Sequence, residues 1–143
     1  LIAIQAKEIS LSVPLFGGDG WESENLLKVG GDSVEGHYFS THCSPEDTSP
    51  KMTAFVAAYK AKYGKTPDAM AALGYDSAYV LGEAIKRAGT TESAALRNAI
   101  AGTKDFEGVT GKFSLDDKRN AIKSAAILQI KNGKFTFLES IAP

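Results

Sequence analysis

The chain has 143 residues, 43% of them hydrophobic and 23% charged, and its 16 basic and 17 acidic side chains leave a formal net charge of -1. A balance this even carries neither the basic excess that binds nucleic acid nor the acidic bias of a disordered tail. The longest apolar stretches, residues 69–73 and 125–130, fall far short of the roughly 20 residues a spanning helix requires, and the single cysteine, Cys43, cannot form a disulfide within the chain.

The chain opens inside a helical pattern, residues 1–8, with Leu1, Ile4 and Glu8 on one face. No charged leader region or cleavage site precedes it, so Leu1 is expected to be a cut and not a beginning. Residues 12–16 form an apolar run of strand character that ends in Gly17-Gly18-Asp19-Gly20-Trp21. Ser23, flanked by Glu22 and Glu24, then opens a short helix that Gly30 and Gly31 close. Residues 34–41 alternate weakly, are rich in aromatics and read as a strand. The proline-bounded residues 45–50 turn the chain and cap a helix over about residues 51–63, in which Phe55, Ala58, Tyr59 and Lys62 recur at helical spacing before Gly64. A long helical run follows from Asp68 to Ala88 and stops at Gly89; Thr91, Glu92 and Ser93 start another through Leu96 and Ile100. The tail changes period: residues 111–115 alternate, residues 116–120 form a polar turn, and two strand-like runs flank Asn132-Gly133, a strong hairpin signal. No internal repeat is present. The order is α/β at the front, helical in the middle and a β-hairpin at the end.

Five segments, in this order and spacing, resemble the periplasmic type I binding proteins for leucine, isoleucine, valine and related ligands. They are Pro14-Leu-Phe-Gly-Gly-Asp-Gly20, Gly36-His-Tyr-Phe-Ser40, Phe55-Val-Ala-Ala-Tyr-Lys-Ala-Lys-Tyr-Gly64, Ala72-Leu-Gly-Tyr-Asp76 and Phe106-Glu-Gly-Val-Thr-Gly111. The resemblance spans nearly the full chain and implies an α/β fold, part of a two-lobed clamp whose N-terminal part is absent. It further implies that residues 1–36 belong to the second lobe, residues 37–117 to the first, and residues 118–143 to a hairpin returning to the second. The implied function is that of an extracytoplasmic receptor of an ABC importer, with an amino acid as ligand, a membrane permease as partner, no cofactor and no catalysis. The alternative is a sensing receptor of the same fold that binds an amide or another small organic molecule. Most contacts to the ligand carboxylate would come from the absent part, so these residues alone should bind an amino acid weakly or not at all. Partial lobes also leave strand edges and apolar helix faces uncovered, through which the chain is expected to oligomerise.

Asp19 is the first candidate for ligand binding, because open α/β sheets present ligands at the carboxyl ends of their strands. In the resembled family the acid of this loop accepts the ligand's α-ammonium group, and Gly20 lets the backbone approach without a Cβ in the way. Asp19 also suits a plain turn role, in which it bonds its own backbone. Trp21 suits a pocket wall or a core position, and Tyr75 either a cleft or packing of its helix on a sheet. Tyr79 and Phe39 read as core. His37, His42, Cys43 and Asp47 do not make a metal set, since alternation along a strand sends the two histidines to opposite faces and no Cys-x-x-Cys or His-x-x-x-His pair is present. No nucleophile elbow, zinc helix or phosphate loop appears.

Overall fold

The computed structural model describes all residues from Leu1 to Pro143, and its helix limits follow from caps written in the sequence. The first helix, α1 (Ile2–Glu8), is followed by α2 (Glu24–Gly30), which Ser23 opens by accepting the Asn25 N–H at 3.2 Å. Ser49 caps α3 (Pro50–Tyr63), whose first residue is a proline with no N–H to leave unsatisfied. Asp68 caps α4 (Ala69–Ala88) through the Ala71 N–H at 2.8 Å, and the Glu92 carboxylate caps α5 (Ser93–Ala101) through Ala94 and Ala95. Gly64 and Gly89 end α3 and α4 in the left-handed conformation.

Two sheets organise the strands. The larger has β1 (Phe16–Gly17), β2 (Tyr38–Thr41), β6 (Ala125–Lys131) and β7 (Lys134–Ile141) in the order β1-β2-β6-β7. Its first pair is parallel, with Phe16 opposite Tyr38, and the other two pairs are antiparallel. The smaller sheet is antiparallel and joins β3 (Phe106–Gly108), β4 (Gly111–Leu115) and β5 (Ala121–Ile122).

Each body has its own apolar cluster. Phe39, Leu128, Ile130, Val34, Ala126 and Ala3 form the core between the larger sheet and the helices α1 and α2. Met52, Phe55, Ala69, Ala72, Val109 and Cys43 form the second, where α3 and α4 meet. Asp76, buried on α4, accepts the Val109 N–H at 2.7 Å, the Thr110 N–H at 2.9 Å and the Thr110 hydroxyl at 2.7 Å, and so fastens the long helix to the turn between β3 and β4.

Three expectations change in detail, and two short strands went unread. The strand read over residues 12–16 is formed only at Phe16–Gly17: Pro14 offers no N–H, and β1 is an edge with a single partner. The strand read over residues 34–41 begins at Tyr38, because a 3-10 turn over Gly31–Ser33 and a left-handed Gly36 occupy its expected start. Strands β3 and β5, of three and two residues, had no periodic signal to betray them. Tyr79, read as core, is 54% exposed, whereas Phe39 is fully buried as expected.

Candidate functional site

Because β1 and β2 run parallel, their carboxyl ends emerge at the same edge of the larger sheet. The chain leaves β1 through an extended Gly18 and makes a tight 3-10 turn over Asp19–Trp21. Trp21 folds back over β1 so closely that a Cβ on Gly17 would lie 2.3 Å from its ring, which makes glycine a steric requirement there. The indole is half-buried against the Phe39–Leu128 cluster. Gly20 and Trp21 line a groove of about 530 Å³ whose other walls come from α1 and α2.

Asp19 is exposed at the tip of the turn. Its Oδ1 accepts its neighbour's Gly20 N–H at 3.0 Å, the local turn role, and its Oδ2 lies 3.1 Å from His42 Nε2. His42 is the first residue beyond β2, so the parallel pairing brings it to Asp19 across 23 residues of sequence. An ionised carboxylate only accepts, so the Nε2 of His42 is the donor in this pair.

Glu22 anchors the tip from behind. Its carboxylate accepts the Thr41 hydroxyl and, at 3.0 Å, the N–H of Ala69, the first residue of α4. One turn, the end of β2 and the start of the long helix are thereby locked together, with Met70 standing 56% exposed beside the anchor. The sequence marked Glu22 only as an acidic neighbour of a helix start. Its partner Ala69 lies 47 residues away, beyond the reach of local pattern.

Tyr75 lies elsewhere. It sits on α4 with 40% of its surface exposed, its ring 4.9 Å from that of Phe55, and it hydrogen-bonds Tyr79 at 3.2 Å. That hydrogen bond, more than burial, holds the phenol above its ordinary range. Tyr75 lines a separate groove of about 430 Å³ with Phe55, Tyr79, Phe106 and Val109. The structure thus joins Asp19, Gly20 and Trp21 in one turn and adds His42, Glu22 and the start of α4 to them, while Tyr75 belongs to another surface.

The remaining reactive side chains are structurally occupied. Burial pushes the Cys43 thiol up to about 12, far from a thiolate nucleophile at neutral pH. His37 takes part in the backbone, where its Nδ1 receives the Leu15 N–H at 3.4 Å. No group of three His, Cys, Asp or Glu side chains stands together in a way that could hold a metal ion.

Comparison with known proteins gives a consistent answer. The family described as periplasmic binding protein matches residues 2–134. A leucine-, isoleucine-, valine-, threonine- and alanine-binding protein of Pseudomonas aeruginosa is 26% identical over 139 residues, covering 97% of this chain and 34% of its own length. The crystal structure of a leucine-binding protein from Thermotoga maritima is 40% identical with a TM-score of 0.92, covering 100% of this chain and 41% of that one. A branched-chain amino acid transporter substrate-binding protein from Streptococcus pneumoniae, solved in complex with isoleucine, is 36% identical with a TM-score of 0.85 over 99% of this chain and 41% of that one. The chain spans 34% to 41% of the length of these relatives. With the mixed α/β architecture, two separate cores and a family match over nearly its whole length, the chain belongs to the periplasmic binding protein family.

Proposed function

We propose that the protein to which these residues belong is an extracytoplasmic receptor that captures a branched-chain or related amino acid and delivers it to an ABC permease, without making or breaking a bond. The relatives named for leucine, isoleucine and valine support this reading. One observation carries it at the level of residues: the Asp19 carboxylate stands exposed at the carboxyl end of a parallel strand pair, at a tip braced by Glu22. At about 4 Å, a ligand ammonium and a carboxylate attract by roughly 4 kcal/mol at an effective dielectric of 20, and closure over the ligand removes competing water. Gly20 leaves the approach open, with no heavy atom within 4 Å of where its Cβ would be. Trp21 serves the site from below, as the packed support of the turn. Tyr75 contributes, in this reading, through a surface that the rest of the polypeptide brings to the cleft.

We also propose that the chain changes lobe near residues 36 and 117, as expected from the sequence; the pairing of β2 with both β1 and β6, and of β5 with β4, supports crossings close to Thr41 and Ile122.

The deciding experiment is thermal unfolding of the full-length protein against a panel of amino acids. A ligand at 100 times its dissociation constant adds about 2.7 kcal/mol of stability. Leucine, isoleucine or valine is expected to raise the melting temperature, Asp19→Ala to abolish the rise, and residues 1–143 alone to show little or none. A panel that leaves the full-length protein unmoved refutes the receptor reading.

A further inference from the structure

We infer that His42 is a positioning residue for Asp19 and makes amino-acid capture at this site sensitive to acid; the inference rests on the proposed ammonium role of Asp19. Of the two carboxylate oxygens, Oδ1 is committed to the Gly20 N–H at 3.0 Å and Oδ2 to His42 Nε2 at 3.1 Å. A carboxylate has about four acceptor sites, so the two contacts fix the plane of the group and leave capacity for an ammonium. Both side chains remain reachable, with His42 39% and Asp19 55% exposed, so the pair is accessible to a ligand and is not part of the core. The bracing is local and stiff: Thr41, the residue before His42, bonds Glu22, three residues after Asp19.

The charge balance turns this geometry into a pH response. With a neutral imidazole, the pair carries one negative charge for the ligand ammonium to meet. With a protonated imidazole the pair is neutral and a cation already occupies Oδ2, so the incoming ammonium loses its attraction and meets a like charge. The other titratable groups around His42 do not cancel this. In the small hollow it shares with Cys43, Asp47 and Lys112, Asp47 is tied to the Ser49 N–H at 2.7 Å and Lys112 to Asp105 at 3.1 Å. The Glu22 carboxylate is taken up by the Thr41 hydroxyl and the Ala69 N–H. Protonation of His42 therefore lowers affinity, so capture weakens as pH falls.

The test is calorimetric binding of L-leucine to the full-length protein at about pH 8 and about pH 5.5. Wild type should lose roughly tenfold in affinity between the two, the size of one like-charge neighbour at a partly solvated site. H42Q, which retains an N–H donor without the charge, should show no such loss, with an affinity at the higher pH between those of wild type and H42A. H42A should be flat and weakest, because the carboxylate is no longer oriented. A pH loss that persists undiminished in H42Q, or an H42A protein that matches wild type at both values, overturns the inference. Leucine binding that D19N abolishes but the His42 variants leave alone sinks the inference and spares the role of Asp19. Binding that D19N does not weaken, or no binding of any amino acid, removes that role and the inference with it.

Discussion

Two buried polar groups near each other show how differently single residues are treated in this fold. Asp76 receives three hydrogen bonds from the β3–β4 turn, and Gly108 is required beside it, since a Cβ there would fall 2.2 Å from the carboxylate. Lys123 is half-buried, but its Nζ is sealed from solvent and has no acceptor. Burial lowers its pKa from the ordinary 10.5, with Cys43 and Asp76 opposing only in part. A lysine with a lowered folded-state pKa binds its proton less tightly when folded than when unfolded. The cost is therefore full below the folded value and disappears as pH rises toward 10.5. Lys123→Met removes the cost outright. It should stabilise residues 1–143 by about 1 kcal/mol at neutral pH, a figure discounted for the exposed part of the side chain. The gain over wild type should shrink in urea titrations carried toward pH 10, near the ordinary lysine value. A gain that stays constant or grows with pH contradicts the assignment.

At the scale of elements, the features legible in the sequence are those whose cause is local. Ser23 and Ser49 cap their helices where the sequence placed the helix starts, Asp68 caps the long helix instead of being its first residue, and the polar turn of residues 116–120 closes on the Asp116 carboxylate through the N–H groups of Lys118 and Asn120. The terminal hairpin is equally local: Asn132 and Gly133 both have positive φ, at 53° and 65°, as a two-residue turn demands. What stayed hidden depends on distant partners. Strands β3 and β5 exist because β4 pairs with them. Asp19 could be singled out from its loop, but its contact with His42 and the Glu22–Ala69 bond behind it depend on strand pairing and helix docking. The same is true of Glu35, whose carboxylate takes the N–H groups of Asn132 and Gly133 from 97 and 98 residues away. Gly133→Ala adds a Cβ with no heavy atom within 4 Å, so its cost is the left-handed conformation itself, about 1–2 kcal/mol, measurable as a lower urea midpoint with an unchanged slope. Unaltered stability would mean that the turn does not hold its conformation in solution.

The molecule as a whole exposes too much surface for its size. Its accessible area is 9091 Å², whereas a monomeric protein of 15.1 kDa is expected to expose about 7,100 Å². The excess of about 2,000 Å² is as large as the total area buried in a standard protein interface. Only 21 of 143 residues are buried, and the apolar ones gather in two clusters of just six each, so neither core approaches what one domain of this length would hold. The exposed apolar side chains include Tyr75, Tyr79 and Leu81 along α4 and Phe16 on the edge strand β1. In relatives about two and a half times as long, 41% of the chain corresponds to this one. We predict that in a polypeptide of that length the remaining three fifths cover these faces. Residues 1–143 in isolation are therefore expected to self-associate, with a sedimentation coefficient that rises with concentration and with strong binding of a hydrophobic dye. A polypeptide extended to the full length of the relatives should sediment as a single species independent of concentration and lose most of the dye signal. If the isolated chain stays monomeric and dye-silent, the two clusters suffice as a core and the exposed faces of α4 and β1 are tolerated surface; if both forms associate alike, the uncovered area belongs to an interface between copies.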